Sequence, residues 1–210
     1  MDKYVITISR EFGSLGRPIA KRLSELLGIE YYDRDIVDET AKRMNLPVPV
    51  ISDAEEKKSG FFEMIFPLGT ETAERQKKLF DVQCDIISKL AAKESCIIVG
   101  RCADYILADE PNSIHVHIYA PYEDRLANCT GPLGMKKEEA VKMINRVDKA
   151  RNSYHKHFAK YAQDDPQHKD MIVNSSLLGV EGTARALAAV AGIKFGAGKF
   201  CRPGNNITQL

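Results

Sequence analysis

The feature that most constrains the fold is an alternation of short apolar runs with longer segments of helical periodicity. The apolar runs are mostly continuous, which is typical of strands buried on both faces of a parallel sheet. Strand–helix alternation requires right-handed crossovers, and it predicts an open, doubly wound α/β sheet. The predicted strands are 4–9, 30–33, 96–100, 114–119 and 171–174, and the predicted helices are 16–27, 73–93, 121–129, 136–145, 147–161 and 181–191.

Charge and cysteine content limit the classes of partner. The chain has 210 residues, with 30 basic and 29 acidic side chains, and this balance argues against nucleic acid or a membrane surface as the main partner. The apolar run near the N-terminus is too short for a signal peptide, and no run approaches a membrane span. Five cysteines form no C-x-x-C pair, which favours reduced thiols in a cytoplasmic protein.

Two stretches interrupt the alternation within what we otherwise expect to be a single domain over residues 1–193. Residues 45–71 contain three prolines and the apolar sequence FFEMIF. We interpret them as an insertion or cap beside a cleft. A loop packed on the core or on a partner subunit is an equal alternative, and the second case would make a homodimer through 45–71. Residues 194–210 are glycine-rich and are expected to form an extended tail.

The segment GSLGR follows the first predicted strand and opens the first predicted helix. Gly13 and Gly16 allow backbone N–H groups to approach an anion, the helix N-terminus adds partial positive charge, and Arg17 adds a cation. Compared with the P-loop pattern G-x-x-x-x-G-K-[ST], Glu11 replaces the first glycine, Arg17 the lysine and Pro18 the hydroxyl residue. The segment predicts a phosphate loop, and an ordinary strand–helix turn is the alternative.

Further charged residues follow the later strands. Arg101 and Asp104 stand at the end of the third strand, where Arg101 could bind a second phosphate and Asp104 a sugar hydroxyl or base. Arg101 could instead pair with a structural carboxylate. A charge run such as RVDKARNSYHKHF is usually a solvated helix face, but this one lies between the fourth and fifth strands, where a lid closing on phosphates is expected. Its candidate residues are Arg146, Asp148 and Arg151.

The histidines do not indicate a metal site. His115 and His117 alternate on one strand, but no third ligand follows at a suitable spacing, so core or edge positions are favoured. We expect His155, His157 and His168 to lie on the surface of the lid.

Six segments in order give a specific resemblance: SREFGSLGR, YYDRDIV, IIVGRCADYIL, APYEDR, RVDKARNSYHKHF and DMIVNSSLLGVEG. Over residues 3–191 the chain resembles the cytidylate-kinase-like family of P-loop proteins. The resemblance implies a three-layer P-loop nucleoside triphosphate hydrolase fold with a lid over 132–161. It also implies ATP and Mg²⁺ as cofactors and a nucleoside monophosphate as the small-molecule substrate.

The resemblance assigns roles residue by residue. The donor nucleotide would be bound by Gly13, Ser14, Leu15, Gly16, Arg17, Pro18 and Arg125, although Arg125 in a surface salt bridge is an equal alternative. The acceptor would be bound by Asp33, Arg34, Arg101, Asp104 and Asp148, and the catalytic residues would be Arg17, Arg146 and Arg151.

Departures from the family pattern leave the activity open. Arg17, Pro18 and Val99 differ at positions that handle phosphate and magnesium, and Arg34 differs where the pyrimidine nucleotide is recognised. CMP or dCMP is the first candidate acceptor. The alternatives are a kinase for another small acceptor and a nucleotide- or phosphate-binding protein without transfer activity. With Pro18 unable to bind Mg²⁺, a water-bridged ion near Ser9, Ser14 or Asp33 is expected.

Overall fold

The computed structural model describes residues 3–33, 36, 39, 42, 43 and 73–196. Three expectations fall outside these residues: the role of Arg34, the insertion over 45–71, and residues 197–210 of the tail.

Five parallel strands form one sheet in the order β2-β3-β1-β4-β5. Strand β1, all of whose residues are buried, lies in the centre between β3 and β4, so its carboxyl end opens between two neighbouring strands. This is the place where α/β proteins bind ligands. The strands are β1 (Val5–Arg10), β2 (Glu30–Tyr32), β3 (Cys96–Val99), β4 (Ser113–Tyr119) and β5 (Met171–Asn174).

Helices cover both faces of the sheet and bury its apolar side chains. On one face, Ile6 and Ile8 pack with Ile19, Leu23 and Leu187. Val5 and Ile98 point to the other face. The predicted doubly wound α/β fold is therefore confirmed. The described helices are α1 (Gly16–Leu27), α2 (Ala73–Lys93), α3 (Ala103–Ile106), α4 (Tyr122–Thr130), α5 (Lys137–Ala159) and α6 (Ser175–Phe195), with a 3₁₀ turn at Pro166–His168.

Helices α5 and α6 differ in extent from the sequence-based prediction, and the short helix α3 was not predicted. The predicted helices 136–145 and 147–161 are one helix, α5, because no glycine or proline separates them. Helix α6 begins at Ser175, where the Asn174 side chain accepts a hydrogen bond from Ser176 N, and it continues through a kink at Gly179. It ends at Phe195, two residues into the predicted tail, and Phe195 stacks on Tyr4 with ring centroids 4.6 Å apart.

Helix α6 is long and apolar enough to cross a membrane by length and composition alone. Its side chains Ala184, Leu187, Ala188 and Ala191 belong to the core beneath the sheet. A core helix can satisfy the same criterion, and this packing accounts for the buried third of the apolar window.

Candidate functional site

The loop between β1 and α1 carries the predicted phosphate site. Leu15 has a left-handed backbone (φ 60°), and α1 begins at the next residue without a side-chain cap. The first N–H groups of the helix therefore lack partners within it and provide partial positive charge. A cleft of about 110 Å³ lies against the loop and is lined by Gly13, Gly16, Arg17 and Pro18 among others. A single water needs about 10–15 Å³, so the cleft has room for a larger ligand group.

Contacts from neighbouring elements hold the loop in shape. Gly13 has φ 79°, and a Cβ atom there would lie 2.8 Å from the Arg125 carbonyl oxygen, so this position requires glycine. Asn128 Nδ2 donates to the Gly13 carbonyl at 2.9 Å. Ser175 Oγ donates to the Ser14 carbonyl at 2.7 Å. The loop is therefore fixed from α4 and from the start of α6.

Glu11, at the first glycine position of the pattern, does not fill the cleft. Its carboxylate accepts a hydrogen bond from Ala120 N at 3.2 Å and lies 3.4 Å from Arg125 Nε. Burial raises the pKa of this carboxyl, although the Ala120 N–H and the Arg125 charge oppose the change. Glu11 thus ties the loop to the start of α4 and leaves the cleft open.

Arg125 and Asp148 join the loop to α5. Arg125 Nη1 donates to Asp148 Oδ2 and, at 3.3 Å, to the Phe12 carbonyl. Asp148 Oδ1 accepts a hydrogen bond from Phe12 N at 2.7 Å. Both residues therefore brace the loop in this structure, and neither is among the residues that line the loop cleft. The predicted contacts of Arg125 with the donor and Asp148 with the acceptor stay predictions.

Asp33, just past β2, is the carboxylate on which the arginines of the site converge. It is buried, accepts a hydrogen bond from Arg17 Nε, and its Oδ1 lies 3.5 Å from Arg10 Nη2. Burial alone would raise the pKa of this carboxyl, but the charges of Arg10, Arg17 and Arg101 outweigh burial and hold the pKa at about 2. Asp33 is therefore ionised and paired with arginines.

Arg101 is presented by an unusual turn at the end of β3. Gly100, Arg101 and Cys102 have φ values of 76°, 58° and 52°, three left-handed residues in succession. Such conformations are costly outside glycine and cluster at functional sites. The Arg101 side chain is buried, and burial lowers its pKa to about 10 despite the nearby Asp33 carboxylate. The turn thus holds a guanidinium within the electrostatic influence of Asp33, which is the structural alternative for Arg101, and its contact with an acceptor phosphate stays a prediction.

Asp104 lies in a buried network of protein donors. Its carboxylate contacts His155 Nε2 at 3.0 Å, Tyr161 OH at 3.2 Å and Lys169 Nζ at 2.5 Å. Burial would raise the pKa of this carboxyl, but His155 and Lys169 lower it overall. The expectation that His155 lies on the lid surface is wrong, because its ring is buried between Asp104 and the Tyr161 carbonyl. The predicted contact of Asp104 with a sugar or base stays a prediction.

The two arginines of α5 have different environments. Arg151 Nη1 donates to the Arg10 carbonyl at 3.1 Å, and the Arg151 guanidinium lies 6.0 Å from the Phe12 ring centroid. Burial, aided by the charge of Arg10, lowers the pKa of Arg151. Arg146 is exposed. Helix α5 therefore brings Arg151 to the loop, and the catalytic role of Arg146 stays a prediction.

His115 and His117 occupy core and edge positions of β4, as predicted. His115 Nδ1 lies 2.8 Å from Thr7 Oγ1, and His117 Nδ1 lies 2.9 Å from Ser9 Oγ. Among residues 3–33, 36, 39, 42, 43 and 73–196, no group of three or more His, Cys, Asp or Glu side chains could hold a metal ion.

Arg10 and Lys169 are residues of this region that the sequence interpretation missed. Arg10 is the last residue of β1, and its side chain lines both the loop cleft and a smaller polar cavity of about 20 Å³ beside Arg101 and Asp104. The sequence feature that could have identified Arg10 as a site residue is its position directly before the glycine loop. Lys169 carries no such signal, because its approach to Asp104 depends on the path of the chain between α5 and β5.

A central parallel strand, a glycine loop, an uncapped helix N-terminus and converging arginines together define the P-loop kinase class of α/β proteins. The chain belongs to the cytidylate kinase-like family, whose model matches residues 5–177. The family and the fold support a phosphotransferase activity.

Solved structures of similar fold agree with this class. An uncharacterized protein from Eubacterium ventriosum is 26% identical, with a TM-score of 0.69 over 90% of this chain and 98% of that one. A shikimate kinase from Bacteroides thetaiotaomicron is 12% identical, with a TM-score of 0.53 over 89% and 97%. A sugar kinase from Janibacter is 11% identical, with a TM-score of 0.50 over 91% and 94%. The sequence matches no curated protein.

Proposed function

We propose that the chain transfers the γ-phosphoryl group of ATP to a nucleoside monophosphate, with CMP or dCMP as the first candidate acceptor. One observation carries the proposal: the loop cleft, with Arg17, adjoins the polar cavity that contains Arg101, and Arg151 lines both. A donor phosphate on the loop would lie beside Arg151, and an acceptor phosphate would meet it there once the polar cavity of about 20 Å³ beside Arg101 widened.

The reaction needs positioning and charge neutralisation rather than a protein nucleophile. An ionised oxygen of the acceptor phosphate attacks the γ-phosphorus and forms the new P–O bond. The bond to the bridging oxygen breaks, and its electron pair leaves with ADP, so no proton has to move. The loop N–H groups and Arg17 bind the donor phosphates, Arg101 binds the acceptor phosphate, and Arg151 neutralises charge between them. Arg146, an exposed residue of the same helix, is the further catalytic candidate.

The described residues do not fit a direct magnesium site. Pro18 has no hydroxyl, and Ser14 Oγ lies 3.0 Å and 3.1 Å from the carbonyl oxygens of Glu11 and Ile118. Ser9 Oγ contacts His117 and the Gln163 carbonyl, and Asp33 is paired with arginines. The water-bridged Mg²⁺ expected near these three residues has no support from their contacts, and no step above depends on it.

A binding protein without transfer activity is the second candidate. The pairing of Arg17 with Asp33 and the unsuitability of Pro18 for magnesium favour it. A kinase acting on another small acceptor is the third, and its motivation, Arg34, lies outside the described residues.

A two-stage experiment separates these functions. A thermal-shift screen of nucleotides, with and without Mg²⁺, identifies ligands, and coupled ADP release is then measured with each candidate acceptor. ADP release with CMP or dCMP supports the proposal, and release with a different acceptor reassigns the substrate. Stabilisation by ATP without ADP release for any acceptor would support the second candidate, a binding protein without transfer activity.

The cellular location and the partners of the protein are also proposals. Cys84, Cys96, Cys102 and Cys129 are free thiols, which agrees with a cytoplasmic location. A small-molecule substrate remains the proposed partner in preference to nucleic acid or membrane, and the homodimer through 45–71 stays a prediction.

A further inference from the structure

His155, near the C-terminal end of α5, faces a hydrogen-bond acceptor with each of its ring nitrogens. Nδ1 lies 3.0 Å from the Tyr161 carbonyl oxygen, and Nε2 lies 3.1 Å and 3.0 Å from the two carboxylate oxygens of Asp104. A carbonyl oxygen and an ionised carboxylate only accept, so each nitrogen must carry a hydrogen to make its contact. A neutral imidazole has one N–H group, and therefore only the imidazolium makes both contacts at once.

The carboxylate beside His155 is ionised. Lys169 Nζ and Tyr161 OH donate to Asp104 Oδ2 at 2.5 Å and 3.2 Å. Burial would raise the pKa of the Asp104 carboxyl, but the contacts with His155 and Lys169 lower it overall. The Lys169 side chain is fully buried, and those of Asp104 and His155 are 5% exposed, so water does not replace these partners.

His155 continues a face of α5 that contacts the candidate site. It lies about one helical turn after Arg151 and two turns after Asp148, and side chains at these spacings share a face. The Asp148 carboxylate accepts a hydrogen bond from the loop backbone, and Arg151 Nη1 donates to the carbonyl of the last residue of β1. His155 adds a contact with α3, which directly follows the turn that carries Arg101. The His155 contact therefore fixes the C-terminal end of the helix that presents Arg151.

The charges around His155 make its second hydrogen depend on Asp104. Asp104 is the carboxylate that faces the ring, whereas the basic groups beside the ring or in the same cavity oppose a further positive charge. These basic groups are Lys169, Arg10, Arg101 and Arg151. The other titratable groups stay neutral near pH 7, because burial raises the pKa values of Cys102, Tyr154 and Tyr161 and lowers that of His117 to about 4. Attraction to Asp104 therefore holds the second hydrogen on the ring.

We propose that His155 is a positioning residue that acts as an imidazolium, and that its two N–H groups fasten the C-terminal end of α5 to Asp104 and to the Tyr161 carbonyl. When alkaline pH removes one of these hydrogens to solvent, the neutral ring serves one acceptor and leaves the other unpaired in a buried place. That end of α5 then loosens, and Arg151 loses its fixed position. The inference rests on the proposed function only for the effect of Arg151 on turnover.

The first test observes the ring nitrogens of the unaltered protein by nuclear magnetic resonance, without ligand. The signal of His155 is assigned through its contacts with Tyr161, whose ring centroid lies 4.8 Å away. We expect both nitrogens of His155 to carry hydrogen at a pH where the exposed His157 has lost one of its hydrogens. A His155 ring that loses a hydrogen together with His157, or at a lower pH, would overturn the inference.

The second test follows the hydrogen-exchange protection factors of residues 150–159 over a series of pH values. Protection should fall about 10- to 100-fold as His155 loses its hydrogen, the effect on local opening of losing one hydrogen bond to a charged group. His155→Gln carries no charge, so its protection should already be low and should not respond to the same pH change. His157→Gln is the matched control on the same helix and should behave as the unaltered protein does. Protection that stays constant while His155 titrates would contradict the proposed role.

The nuclear magnetic resonance measurement and the pH series use the unaltered protein, so the inference is testable even if His155→Gln does not fold. Neither measurement needs a nucleotide, and failure of the inference is therefore distinct from failure of the proposed function. Protection that follows the His155 hydrogen, without ADP release for any acceptor, supports the role of His155 and contradicts the transfer activity. ADP release, together with protection that ignores the titration of His155, supports the activity and overturns the inference.

Discussion

Arg17 illustrates how one residue can keep the charge of a phosphate loop while changing its geometry. A guanidinium stays charged and prefers two oxygens at once, whereas a lysine acts as a point charge. In the structure its Nε donates to Asp33, and its side chain remains 28% exposed at the cleft. Arg17 can therefore turn to donor phosphates by exchanging one oxygen partner for others.

Arg17→Ala should lower turnover about 10²- to 10³-fold, the loss typical of removing one donor to the transition state. The unfolding midpoint should change little, because the residue lies at a loop–helix junction outside the apolar core. Arg17→Lys should recover part of the activity. Normal ADP release by Arg17→Ala on the true acceptor would make Arg17 a structural residue.

Gly13→Ala tests the shape of the loop. The added Cβ would lie 2.8 Å from the Arg125 carbonyl, in a backbone with φ 79°, so we expect weaker ATP binding and a loss of stability of about 1–3 kcal/mol. Gly134→Ala is the matched control: its φ is 61°, and a Cβ there meets no atom within 4 Å. Equal effects of the two changes on ATP binding, measured by calorimetry, would mean that contact with α4 does not shape the site.

At the scale of elements, the site depends on how strands and helices are joined to the loop. Strand β4 is joined to β1 by the His117–Ser9 contact, and α5 is joined to the loop by Asp148. The predicted lid over 132–161 therefore includes a helix that is tied to the loop near its middle and to Asp104 near its C-terminal end. We propose that ligand-dependent movement is concentrated N-terminal to Asp148.

Burial lowers the pKa of His117 to about 4, which makes the β1–β4 contact sensitive to acid. In the unfolded chain a histidine titrates near pH 6.5, so between pH 6.5 and 4 only the unfolded state gains this proton. The contribution of neutral His117 to the free energy of unfolding is therefore fully present above pH 6.5, and the free energy of unfolding falls by up to about 3 kcal/mol as the pH approaches 4.

His117→Gln should flatten this part of the stability curve in urea titrations at several pH values. The exposed His157 provides the control, and His157→Gln should leave the slope of the free energy of unfolding against pH unchanged. A slope unchanged by His117→Gln would assign the acid sensitivity to another group.

Helix α5 should respond to ligand, most strongly N-terminal to Asp148. Hydrogen exchange of residues 136–160 should slow when ATP is added, because phosphates neutralise the positive charges that repel each other in the empty site. Asp148→Asn weakens the link to Phe12 and Arg125, so it should speed exchange without ligand. Identical exchange with and without a nucleotide that binds would contradict the lid.

At the scale of the whole molecule, the ligand should stabilise the fold by contacting the carboxyl ends of several strands of the sheet. The loop, the Arg101 turn and Asp33 follow three neighbouring strands, β1, β3 and β2. A ligand that bridges them adds its binding free energy to the stability of the domain.

ATP at 100 times its Kd should stabilise the protein by about 2.7 kcal/mol, or raise the Tm by about 5–10 °C for a domain of this size. Differential scanning fluorimetry measures the shift, with adenosine as the control that lacks phosphates. An equal shift with adenosine, or none with millimolar ATP, would contradict the phosphate site.

The sequence by itself determined the α/β class, the five strands and the position of the loop. These follow from local rules, because continuous apolar runs suit strands buried on both faces and Gly13 marks a backbone that only glycine adopts readily. Arg17 and Arg101 could be predicted as site residues for a similar reason, since Arg17 lies at the end of the loop after β1 and Arg101 in the turn after β3, at the same sheet edge.

Only the tertiary structure decided which partner each charged side chain has. Asp33 could have faced a substrate but pairs with Arg17 and Arg10, and His155 could have been exposed but is buried against Asp104. These choices join residues separated by up to 51 positions in the chain. Local propensity sets the backbone of each element, whereas an ion pair depends on where distant elements come together, on burial and on the competing charges found there.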